Sequence, residues 1–145
     1  MEPVREKDLT QVLARYAYAV VPSDTFDGGS SPSVRAIAEL SLPSRIPTLM
    51  CASHLPILVL GHAQTSAARF VRRFELGEVT PYETAAVQGA LARLGRSETQ
   101  ERIRRRAAEL SPSFSSRGAT EWIWRSLAEG RACDEKYEHL MPADA

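Results

Sequence analysis

The sequence predicts an α/β protein: a small parallel Rossmann-like sheet with flanking helices and a helical C-terminal third. Three observations predict it. Short apolar runs closed by Pro or Gly recur at AYAVVP (Ala17 to Pro22) and PILVLG (Pro56 to Gly61), the pattern of strands buried on both faces. Stretches of about ten residues with apolar positions at helical spacing alternate with these runs, as βαβ units require. The last third shows helical spacing alone, so the sheet is completed early.

Along the chain, Asp8 is placed to cap a first helix bearing Leu9, Val12, Leu13 and Tyr16, with Gln11 in capping-box position. The strand Ala17 to Pro22 follows, then a loop from Ser23 to Ser31. Ser31 or Ser33 caps a helix with Val34, Ile37 and Ala38 on one face, which must end by Pro43. IPTLMC (Ile46 to Cys51) and PILVLG read as two further strands. Thr65 caps the next helix, whose inner face is Ala67, Phe70, Val71 and Phe74 and whose stop is Gly77. GEV is a brief strand.

TPYE (Thr80 to Glu83) combines a cap, a Pro at the first helical position and a Glu at the third, before the buried stripe Val87, Ala90, Leu91 and Leu94 and a stop at Gly95. SETQ (Ser97 to Gln100) opens a helix with Ile103, Ala107 and Leu110 inward, and a last helix spans about Ala119 to Ala128. Trp122 and Trp124, two positions apart on it, must point to nearly opposite sides.

Bulk composition narrows the functional classes. With 145 residues, 43% of them hydrophobic, the chain supports one moderate core and so one domain, 1–145. Eighteen basic and eighteen acidic residues cancel, which argues against a surface devoted to nucleic acid or anionic lipid. The arginine run Arg102, Arg104, Arg105 and Arg106 shares its helix with Glu98, Glu101 and Glu109, the arrangement of a solvated face with pairs such as Glu98 with Arg102 and Glu101 with Arg105. The longest apolar run, Ile57 to Leu60, is far too short to span a membrane. Two sparse cysteines, Cys51 and Cys133, suggest no disulfide framework, so a reduced, cytoplasmic protein is expected. Cys51, His54 and His62 match no familiar zinc spacing, and neither a metal nor another cofactor is expected.

The loop VVPSDTFDGGSS, between a strand and a helix, is the informative stretch. In parallel α/β sheets ligands sit beyond the carboxyl ends of strands, where such loops open. Gly28 and Gly29 permit close backbone approach, Ser30, Ser31 and Ser33 offer hydroxyls, and the next helix presents unpaired N–H groups. This combination suits a phosphate or diphosphate. A plain connector is the alternative, since neither GxxxxGK[ST] nor GxGxxG is present.

VVPSDTFDGG, the helix with Glu39 and the segment RIPTLM resemble the C-terminal half of the nucleotide-sugar-binding domain of GT-B glycosyltransferases of the retaining, glycogen-synthase-like group. Farther on, FELGEVTPYE, RIRRRAAEL followed by FSS, and ATEWIWRSL are similar to that family's later strand and helices, in the same order. The resemblance implies that Glu39 holds the ribose hydroxyls, that Gly28, Gly29, Ser30 and Ser31 face the diphosphate, and that Asp27, the candidate catalytic residue, stands for the family's first acidic residue, which approaches the donor sugar. In the family the two acids stand closer together than Asp27 and Glu39, and position 35 is Arg35. The implied function is transfer of a glycosyl group from a nucleoside diphosphate sugar, completed by an N-terminal domain or partner chain. A different class of function, a non-catalytic interaction or dimerisation module built on the same fold, stands beside it.

Overall fold

The computed structural model describes residues 8–26, 31–114, 116–135 and 137. In chain order these form α1 (Leu9–Leu13), β1 (Ala19–Pro22), α2 (Pro32–Leu40), α3 (Arg45–Ser53), β2 (Ile57–Leu60), α4 (Ser66–Arg73), β3 (Gly77–Thr80), α5 (Thr84–Leu94), α6 (Ser97–Leu110), a 3-10 turn (Ser111–Phe114) and α7 (Ser116–Glu129). The sheet is parallel throughout, in the order β1-β2-β3, with Val20 opposite Leu58 and Val59 opposite Val79. The chain is therefore α/β, with helices flanking the sheet and helices alone after β3.

Side-chain alternation along β2 divides the interior. Ile57 and Val59 face a cluster built with Ile46 and Met50 of α3, Ala67, Ala68 and Val71 of α4, and Ala107 and Leu110 of α6. Leu58 faces the other way, toward Ala90 and Leu94 of α5 and Ile103 of α6. Each large aliphatic side chain so buried contributes roughly 1.5–3 kcal/mol. The α5 face is the thinner one: Val20, in register with Leu58 on that face, keeps 47% of its surface exposed. Gly77 lets β3 reach β2, since a Cβ there would lie 1.8 Å from the Ile57 carbonyl oxygen.

Several elements follow the sequence reading closely. Ser31 Oγ accepts from the Val34 N–H, Thr65 Oγ1 accepts from the Ala68 N–H, α2 stops at Leu40, and Gly95 closes α5. Others correct it. IPTLMC is helix, not strand: Ile46, Leu49, Met50 and Ser53 fall on one side of α3, and Pro47 sits in the first turn, where its missing N–H costs nothing. Thr80 ends β3 and is buried, so TPYE does not cap; α5 starts at Thr84 with Glu83 at its cap position. Asp8 makes no side-chain cap bond on the five-residue α1, and Ser97 is the first residue of α6, not its cap.

On α2 the apolar residues are exposed, with Val34 at 46%, Ile37 at 65% and Leu40 at 82%. On α6, Arg102 pairs with Glu75 in place of Glu98, while Arg106 pairs with Glu109 along the helix face. Trp122 donates from Nε1 to the Asp134 carboxylate and packs edge-on against Tyr137, while Trp124 on the other side of α7 is exposed. Among the described residues no helix is long and apolar enough to cross a membrane.

Candidate functional site

The parallel sheet puts the ends of all three strands on one side, and the loops that leave them enclose a cleft of about 350 Å³. Thr25 comes from the loop after β1, Gly61 and His62 from the loop after β2, and Pro81, Tyr82 and Glu83 from the loop after β3.

Main-chain bonds hold the first two loops together. Ser23 N–H donates to the Leu60 carbonyl at 2.7 Å, and His62 N–H to the Asp24 carbonyl at 2.7 Å. Gly61 N–H bonds the Thr80 carbonyl at 3.0 Å, which adds β3 to the same ladder. Gly61 takes φ +153°, and a Cβ there would lie 2.8 Å from the Asp24 carbonyl oxygen, so only glycine lets these loops meet. Asp24 Oδ1 accepts from the Phe26 N–H at 2.7 Å, an Asx turn that carries Phe26 into left-handed backbone at φ +58°.

That turn aims the Phe26 ring between two groups. On one side it meets the His62 ring, centroid to centroid at 4.8 Å; Arg35 of α2 lies over it, 5.1 Å from the centroid. Arg35 in turn donates from Nε to Glu39 at 3.0 Å, one helical turn away. The other end of α2 is fixed too: Arg69 of α4 donates to the Glu39 carbonyl, and Ser66 Oγ to the Ser41 carbonyl, which places the start of α4 beside the end of α2. A line of contacts thus runs Glu39, Arg35, Phe26, His62, cleft.

Of the residues singled out in the sequence, Asp27, Gly28, Gly29 and Ser30 lie outside the described residues. Ser31 is engaged as the cap of α2, with Ser33 Oγ 3.2 Å from its hydroxyl. Glu39 does not line the cleft, and its carboxylate is held by Arg35. Arg35 therefore stands where a cation can serve an anion or neutralise Glu39. Cys51 lies on α3, where burial pushes its thiol above the ordinary range and the Ser111 side chain partly offsets this; it does not join His62 at the cleft. Among the described residues no three His, Cys, Asp or Glu side chains are grouped to hold a metal ion.

Sequence reasoning missed His62 as a cleft residue, along with Tyr82 and Glu83, which it used as parts of a helix cap. The usable signal was positional: GH directly follows the strand pattern ILVL and PYE the brief strand GEVT, where binding loops belong. Compared with protein-family models, curated proteins and solved structures, the chain matches none.

Proposed function

We propose that the chain binds a nucleoside diphosphate sugar at the carboxyl end of its sheet, as the nucleotide-sugar-binding part of a GT-B-like glycosyltransferase. The observation that carries this reading is the division of that end into two chemically different halves. Toward α2 lie Arg35, Arg69 and the capped starts of α2 and α4; toward β3 lies the cleft, with no Lys or Arg among the described residues of its lining. An elongated ligand with an anionic and a neutral part matches that division.

In this reading the diphosphate meets the amides and hydroxyls of Gly28, Gly29, Ser30 and Ser31, Glu39 pairs with the ribose hydroxyls, and Asp27 approaches the donor sugar. Leaving-group charge is stabilised by loop amides and the α2 N-terminus. Transfer itself requires a second body, an N-terminal domain or a partner chain, to supply the acceptor side. The two free cysteines accord with a cytoplasmic setting.

The test is a calorimetric titration of the purified chain with nucleoside diphosphates and their sugar conjugates, beside Glu39→Ala. Saturable binding that weakens at least about tenfold in the variant is the expected result. A well-folded chain that binds none of the panel sinks the reading for the isolated chain.

A second reading is favoured by the exposed apolar faces: Val34, Ile37 and Leu40 on α2, and Ile123, Trp124 and Leu127 on α7. These suit an interaction module that dimerises or docks on another chain. Light scattering at rising concentration separates the two, because a strict monomer at high concentration removes the homodimer.

A further inference from the structure

The cleft at the strand ends selects for a particular chemistry. Glu83 lines it and makes no ion pair among the described residues, so a phosphate entering would meet an acidic residue with no cation of its own. Glu83 holds the cap position of α5 without a side-chain cap bond, so its carboxylate is not consumed by the helix. The Tyr82 hydroxyl reaches across to the Ser23 carbonyl at 3.4 Å, which lays the ring from the third loop toward the first with 52% of the residue exposed. Pro81 extends that apolar surface.

His62 completes the set. Its Nδ1 accepts from the Gln64 N–H at 3.2 Å, which puts the proton of the neutral ring on Nε2 as a donor. The Thr25 hydroxyl both donates and accepts. A tyrosine gathered in one cleft with a glutamate, a histidine and a threonine supplies the groups that complement a ring with C–H groups on its faces and hydroxyls around its rim. A volume of about 350 Å³ is at the small end for ligand pockets, room for one such ring and not for a polymer.

We infer that the cleft formed by Thr25, Gly61, His62, Pro81, Tyr82 and Glu83 binds an uncharged monosaccharide ring. The inference deepens, and for its biological sense rests on, the nucleotide-sugar reading. Two sources share this chemistry: the glycosyl group of a nucleotide conjugate, or a separate sugar.

The experiment is amide-resolved NMR on the full chain, titrated with glucose, galactose, mannose, N-acetylglucosamine, inorganic phosphate, and UDP, GDP and ADP with their glucose conjugates. At least one free sugar should shift the Gly61, His62, Tyr82 and Glu83 amides saturably, and phosphate should not. Tyr82→Ala should weaken that sugar about fivefold, while Tyr82→Phe, which removes only the Ser23 bond, keeps it. Glu83→Gln should weaken it as well. Competition between a conjugate and the free sugar assigns the cleft to the glycosyl group; joint binding assigns it to a separate sugar. The inference is overturned if no free sugar moves these amides, if phosphate moves them instead, or if folded Tyr82→Ala binds sugar as well as the parent. Sugar binding without nucleotide binding would sink the nucleotide-sugar reading and leave this one standing.

Discussion

The two ends of the sheet are finished in opposite ways. At the amino end one side chain closes the structure: the Arg104 guanidinium, held by Gln100, donates to the carbonyls of Ser53, Tyr16 and Ala17, tying the end of α3 and the approach to β1 onto α6. At the carboxyl end the strands are joined by backbone bonds between loops, and the side chains are left to line a cleft. Polar groups at the first end satisfy one another. At the second, Tyr82 and Glu83 remain exposed. Left-handed backbone occurs at both ends, since His54 before β2 and Glu75 before β3 take positive φ as well as Phe26, so it is the exposed side chains that set the second end apart. One end of the molecule thus serves stability and the other is available for recognition.

The largest expected effect tests the frame that both ends share. Gly77→Ala places a methyl group 1.8 Å from the Ile57 carbonyl oxygen, a backbone atom that cannot rotate away, so β3 must separate from β2. A loss of roughly 3 kcal/mol or more is expected, at the upper limit of ordinary overpacking. Urea unfolding followed by circular dichroism measures it. A cost below about 1 kcal/mol would mean that the β2–β3 pairing is not as close as described.

The next test breaks the amino end alone. Arg104→Met keeps much of the aliphatic stem and removes the bonds to three carbonyls, so a loss of about 2 kcal/mol is expected. Cys51 reports the same end independently. Burial raises its thiol pKa, so at mildly alkaline pH less of it is thiolate than for an ordinary cysteine and alkylation is slow; the rate should rise in Arg104→Met as α3 opens. The sign for stability follows: a thiol whose folded pKa lies above its unfolded value stabilises the fold below the unfolded pKa, and loses that contribution as pH climbs through the folded one. Ligand binding at the carboxyl end should be unchanged. If it changes as much as stability does, the two ends are not separable.

How far each end could be read from the sequence differs for a physical reason. The strands at Ala19–Pro22, Ile57–Leu60 and Gly77–Thr80, and the caps Ser31 and Thr65, are local signals: apolar runs and hydroxyls one turn from an N–H. IPTLMC misled because a short apolar run with β-branched Ile46 and Thr48 carries no period long enough to separate strand from helix, and what decides it is long-range: Ile46 and Met50 are buried in a cluster shared with the sheet and α6. The spacing of Val34, Ile37 and Ala38 on α2 gave an apolar face, yet amphipathicity says only that a face is apolar, not that this chain covers it. The Arg104 clasp joins residues more than 80 positions apart and has no sequence signature. The cleft was legible as a place, the strand ends, but not as a set of side chains, because Tyr82 and Glu83 also fit a helix cap.

The smallest expected effect on stability is also the sharpest on the comparison. Asp24→Ala removes the Asx bond to the Phe26 N–H while leaving the backbone bond from His62 N–H to the residue 24 carbonyl intact. The direct cost is one hydrogen bond, about 1 kcal/mol, partly returned because Phe26 is freed from left-handed backbone worth roughly as much in strain. Thermal melting should therefore move little. The Phe26 ring, however, sits between His62 and Arg35 only because that turn aims it, so the line from Glu39 to the cleft loses its middle member. Ligand affinity should fall several-fold more than stability predicts, with the largest amide shifts at His62 and Arg35. A large loss of stability with binding intact would reverse the roles assigned to the two ends, because the carboxyl-end loop would then be structural support and not a device for holding a ligand.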